Sequence, residues 1–113
     1  MHIDEKIHGS VAVITVSGEL LFDDDDSALQ DKVASLKSDG FTRMVFDLKK
    51  VNRINSRGLN ALISALKTIR KEGGDIKLAQ IDDHLKDVFI QTRLVQVFNT
   101  YETVGRAMAS FTG

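Results

Sequence analysis

The chain contains no cysteine and no proline in 113 residues. Without thiols there is no disulfide framework, no thiolate metal site and no cysteine nucleophile. That absence fits the cytoplasmic location expected for it. Without proline, turns must be built from Gly, Asn, Asp and Ser. Charge of one sign is also missing: 15 basic and 16 acidic side chains leave a net charge of −1. No global field then steers the chain to nucleic acid or to anionic membranes, and no nucleic-acid partner is expected. No apolar run approaches the ~20 residues that span a bilayer, so no membrane insertion is expected. The opening "MHIDEKIHGS" lacks a basic flank followed by an apolar run, so no signal peptide is expected either.

What is present is an alternation of two periodicities. "SVAVITVSGELL" sets Val11, Val13 and Thr15 against Ala12, Ile14 and Val16, and an apolar run on both faces suits a buried strand. "IDEKIHGS" before it reads as an antiparallel partner turning at His8-Gly9, and Gly18-Glu19 is expected to end the strand. "DDDDSALQDKVASLKSDG" reads as a helix, with Leu29, Val33 and Leu36 on one face and Gly40 as its stop. Thr42 to Leu48 is a second buried strand that passes into a loop. From Gly58, the residues Leu59, Leu62, Ile63, Leu66 and Ile69 mark an amphipathic helix. "EGGD" breaks it, "IKLAQI" is a third strand, and Leu85, Val88 and Phe89 share one face of another helix. "LVQVFNTY" reads as an edge strand or extended link, and Val104, Ala107, Met108 and Phe111 mark a final helix.

The order β-β-α-β-α-β-α-β-α makes the fold class α/β. The expectation is a single domain over 1–113, with a mostly parallel sheet of four to five strands, an N-terminal β-hairpin and about four helices.

The stretch "VNRINSRGLNALIS", Val51 to Ser64, puts Asn, Ser, Arg and Gly between a strand and an amphipathic helix. A strand's carboxyl end meeting a helix N-terminus leaves amide groups without helical partners, at the positive end of the helix dipole. Anions are favoured there. Asn55 or Ser56 would cap the helix, and Gly58 would allow close approach to the backbone. From the residues alone, a plain capped boundary and an anion-handling site both remain open.

"VFDLKKVNRINSRGLNALISALKTIRKEGGDIKLAQ", together with "VSGEL" and the tail "LVQVFNTYETVGRAMASF", resembles the STAS domain family of bacterial anti-sigma-factor antagonists and their relatives. The resemblance runs from about Ile3 to Phe111. It implies a STAS-like domain and a binding switch that is not an enzyme and needs no cofactor. The implied partners are a serine kinase of the ATPase-fold type, acting as anti-sigma factor, and a serine phosphatase. The family's motif is Asp-Ser-Ser/Thr-Gly-Leu-Gly at a helix start, with the second hydroxyl most often phosphorylated. Here Asn55 replaces the Asp, Ser56 holds the first hydroxyl position and Arg57 the second, Gly58 and Leu59 match, and Asn60 replaces the last Gly.

Three readings follow. Ser56 is the phosphorylation acceptor; or the site is silent and Arg57 meets an acidic partner; or Arg57 binds a phosphate brought by the partner. The implied partner-binding residues are Asn55, Ser56, Arg57, Gly58, Asn60 and, on the outer helix face, Lys67, where Arg70 could also meet an acidic partner. The alternative within the family is a non-phosphorylated STAS subunit of a stress-signalling scaffold or a transporter-associated complex.

Other features carry less. Asp23 to Asp26 lack the spacing of an EF-hand loop, and the helix dipole accounts for acids there. They read as a helix opening or an acidic edge beside a partner. His2, His8 and His84 fall in different elements, and no metal site is expected. No general base accompanies Ser56 in sequence, which argues against an enzyme. The oligomeric state is left open.

Overall fold

The computed structural model describes residues 2–20 and 23–111, the side chains of residues 20 and 23–26 excepted. The elements are β1 (His2–His8), β2 (Val11–Leu20), α1 (Asp23–Ser38), β3 (Arg43–Ile54), α2 (Ser56–Lys71), β4 (Asp75–Ala79), α3 (Asp83–Gln91), a 3-10 turn (Leu94–Gln96), β5 (Thr100–Tyr101) and α4 (Val104–Ala109). They build one sheet in the order β1-β2-β3-β4-β5. β1 is antiparallel to β2, and every later neighbour pair is parallel.

Each parallel crossover steps the same way along the sheet. Right-handed crossovers then place α1, α2 and α3 on one face. Their buried residues join Ala12, Ile14, Val16, Met44, Phe46, Ile76 and Leu78 in the main core. The other face, Val11, Val13, Val45 and Ala79, is covered by Ala107, Val104, Met108 and Phe111 of the C-terminal segment. That two-sided cover is why β2 is apolar on both faces.

α2 lies at the centre. Leu59, Leu62, Leu66 and Ile69 are buried, with Ile63 half-buried against them. Burying side chains of this size stabilises by about 1.5–3 kcal/mol each, an upper figure because unfolded chains already bury some surface. Gly73, at φ 81°, ends the helix in a left-handed turn. The amides of Gly73 and Gly74 bond back to the carbonyls of Arg70 and Ile69, both at 3.1 Å.

Five places differ from the sequence reading. β2 continues past Gly18-Glu19 to Leu20, and β3 continues past Leu48 to Ile54, because these two extensions pair with each other (Ser17 with Lys50, Gly18 with Val51, Leu20 with Ile54) across two irregularities in register. α2 begins at Ser56 rather than Gly58. The 94–101 stretch is a 3-10 turn followed by a two-residue edge strand. Leu94 and Phe98 are buried while Val95 and Val97 are exposed, a helical and not an alternating pattern. α4 ends at Ala109, and Phe111 continues it only by a turn bond to the Met108 carbonyl at 3.1 Å. The readings of the Asp23 to Asp26 side chains lie outside the described residues.

Candidate functional site

The strand-to-helix junction is built by Asn55. Its backbone is extended at φ −120° and ψ −173°, and its side-chain oxygen accepts the Gly58 amide at 3.1 Å. The Asn55 carbonyl takes the Leu59 amide at 3.0 Å, the first bond of the helix. Gly58 and Leu59 turn inward and are buried, whereas Asn55, Ser56 and Arg57 are exposed. The apolar stripe behind them fixes the rotation of the helix, and that rotation presents the first turn to solvent.

Of the six residues implied as partner contacts, the fold brings five onto one exposed surface: Asn55, Ser56, Arg57, Asn60 and Lys67. Gly58 lies beneath it as backbone support. Ser64 is exposed between Asn60 and Lys67, in line with Ser56 by helical spacing. The sequence reading passed over it, although the 56, 60, 64 spacing was there to be found. Arg70 takes a different role: its Nε donates to Asp75 Oδ1 at 3.1 Å and an Nη donates to the Val97 carbonyl at 2.9 Å. It ties the end of α2 to β4 and the 3-10 turn, because the helix ends beside them.

The electrostatics at the junction are positive. No acidic side chain stands in the first turn of α2, so the helix's own residues leave its positive pole uncompensated. Arg57 adds a cation in that turn. Arg53, three residues ahead of Ser56, is 3.8 Å from Glu19, an exposed pair of small energetic weight. Since β2, β3 and β4 are parallel and each is followed by a helix, the first turns of α1, α2 and α3 gather at the carboxyl edge of the sheet. That edge is where α/β folds place their recognition loops.

Two open clefts lie elsewhere. One of about 360 Å³ is lined by Thr42, Arg43, Asp75, Lys77, Ser110 and Phe111, and one of about 250 Å³ by Ile81, Lys86, Thr100, Tyr101 and Glu102. Among the described residues no cluster of His, Asp and Glu could hold a metal ion, and no helix is long and apolar enough to cross a membrane.

The model of the STAS domain family matches residues 2–107. The chain belongs to the STAS domain family. A relative that bears the name anti-sigma factor antagonist BtrV, from Bordetella bronchiseptica, is 26% identical over 83 residues, covering 74% of this chain and 72% of its own. Among solved structures, an anti-sigma factor antagonist from Thermotoga maritima superposes with a TM-score of 0.87 at 22% identity, covering 96% of this chain and 92% of its own. The unphosphorylated anti-sigma factor antagonist SpoIIAA superposes at 0.74 with 13% identity, covering 98% and 97%. SpoIIAA from Bacillus has also been solved in a phosphorylated form. The same fold recurs in a sulfate transporter family protein from Wolinella succinogenes, at 0.81 with 15% identity, covering 93% and 87%. These solved structures share the fold with the STAS chain described here.

The STAS domain thus presents Asn55, Ser56, Arg57, Asn60 and Lys67 as an exposed polar surface with two cations, above the buried apolar face of α2.

Proposed function

We propose that this STAS domain is a non-enzymatic antagonist module that binds an anti-sigma factor, a serine kinase of the ATPase-fold type, through the first turn of α2. Asn55, Ser56, Arg57, Asn60 and Lys67 form the contact, with Gly58 below them. Ser56 is the acceptor of the kinase's phosphoryl group, and a serine phosphatase removes it. The module works in the cytoplasm, where those partners act.

The observation that carries the reading is the exposure of Ser56 at the positive pole of a helix whose apolar face is fully anchored. A phosphoryl group there adds about 1.5–2 negative charges at neutral pH. The dipole stabilises that charge within the fold, while an interface centred on the same spot loses its fit. Phosphorylation then releases the partner without unfolding the antagonist.

A second reading rests on Arg57, which fills the position of the second hydroxyl in the family's motif. A guanidinium cannot be phosphorylated. A domain with Ser56 unmodified would be a constitutive binder, as a scaffold or transporter-associated subunit.

The two are separated by a tagged pull-down from the native cells, with mass spectrometry of the partners and of the Asn55–Gly58 peptide. Recovery of a serine kinase, with phosphate on Ser56 in a fraction of the chain, supports the switch. The same kinase with Ser56 never modified makes the module constitutive. Transporter or scaffold subunits in place of the kinase overturn the antagonist assignment.

A further inference from the structure

We propose that the outer edge of β1 is a self-pairing surface, through which two copies of this chain join antiparallel with Glu5 on the twofold axis. β1 stands at one end of the sheet, paired on one side by β2 and open on the other among the described residues. It is seven residues long and exposed along its length apart from Ile3. An open strand of that length presents a row of unpaired amide and carbonyl groups, a template for another strand.

The sequence of that edge, "HIDEKIH", decides which strand fits. In a twofold antiparallel pairing, residues from the same face must meet, so the axis has to pass through a residue position of the strand. With the axis at Asp4, Asp4 faces its own copy. With the axis at Lys6, Lys6 faces its own copy. Each axis, that at Glu5 included, sets one charged residue against itself, but the Asp4 and Lys6 axes also oppose Glu5 to an isoleucine and pair no carboxylate with an ammonium. With the axis at Glu5, all seven residues pair: Asp4 meets the partner's Lys6 twice, Ile3 meets the partner's Ile7 twice, and His2 meets the partner's His8 twice.

Directly opposed pairs of opposite charge and of β-branched residues are those that stabilise antiparallel sheets. Ile7, 45% exposed in the single chain, would gain an apolar neighbour in Ile3. Only Glu5 faces itself, and its carboxylate is already held by Lys32 at 2.9 Å.

Charged edge strands commonly serve to prevent pairing, and such guards work by presenting unmatched charge. The β1 pattern is self-complementary instead: reversing its direction maps acid onto base and isoleucine onto isoleucine. The twofold axis stands perpendicular to the sheet, so the helices of both copies lie on one side. The two α2 starts then point to opposite ends of a ten-stranded sheet. Both remain open, and this inference stands or falls independently of what binds there.

The test is sedimentation equilibrium of the full chain over a concentration series up to about 1 mM, with circular dichroism to confirm folding. The wild type is expected to dimerise. Asp4→Lys and Lys6→Asp each turn two attractive pairs into two repulsive ones, and each should raise the dimer dissociation constant about tenfold or more. Mixing the two variants restores attraction at all four positions, so the mixture should dimerise at least as tightly as the wild type although neither variant does alone. A wild type that stays monomeric throughout overturns the proposal. So does a wild-type dimer unaffected by either substitution, or a mixture no tighter than its parts.

Discussion

The side-chain oxygen of Asn55 accepts the Gly58 amide at 3.1 Å, and this bond marks where the strand stops and α2 begins. Asn55→Ala removes the cap. It should lower stability by about 1 kcal/mol, about 4 °C in Tm for a domain of this size. Asn55→Asp keeps the cap and adds a charge that the dipole favours, so its stability should equal or exceed the wild type's. Urea unfolding of the three proteins checks both expectations.

Ser56→Asp places an acid in a first turn that has none. Stability should rise by about 0.3–1 kcal/mol. Affinity for the kinase should fall, because the same charge enters the contact surface. Thermal unfolding and a binding titration on one preparation separate the effects. A variant that both loses stability and keeps its affinity would refute the electrostatic account of the switch.

Gly74 is needed for a reason unrelated to helix ending. A Cβ there would overlap the Thr42 carbonyl oxygen, a backbone atom that cannot turn aside. Gly74→Ala should cost at least about 2 kcal/mol. Gly105, in α4, has only the Thr103 hydroxyl near its Cβ position, at 3.9 Å. Gly105→Ala should therefore stabilise by roughly 0.5–1 kcal/mol, since alanine loses less backbone freedom in a helix. Denaturation midpoints of the pair, moving in opposite directions, are the check.

Lys77 is buried on the α4 face, its ammonium 3.7 Å from Asp75 and 5.0 and 5.6 Å from the ring centres of Phe111 and Tyr101. Asp75 keeps Arg70 at 3.1 Å whatever stands at position 77. Lys77→Met should then cost no more than about 1 kcal/mol, the packing of the stem being kept. Lys77→Glu would set two carboxylates together in a buried place and should cost at least about 3 kcal/mol. Equal losses in the two variants would contradict this division of labour.

The parts of the fold legible in the sequence are those where burial imposes one period. Leu59, Leu62, Leu66 and Ile69 could only be one helix face, and Val11 to Val16, apolar on both faces, could only be a strand covered twice. The extension of β3 was hidden because Lys49 to Ile54 pairs with β2 alone and buries only Val51. A strand with one neighbour and one buried residue carries no alternation. At 94–101, Leu94, Val95, Val97 and Phe98 suggest a strand by composition, yet Arg93 in a left-handed turn (φ 63°) starts a 3-10 turn that buries Leu94 and Phe98. At the site, exposure of Ser56 and Arg57 follows from the helix period. The bonds that tie the exposed Arg70 to Asp75 and the Val97 carbonyl depend on residues that only the folded chain brings to it.

The central claim is that the first turn of α2 is the partner surface. Titration of the recovered kinase with the wild type and with Arg57→Glu tests it most directly, because the substitution adds an acid where the helix dipole welcomes one. The account predicts an unchanged or higher Tm and an affinity lower by about 30-fold or more. An affinity within about twofold of the wild type's, on an equally stable variant, would contradict it.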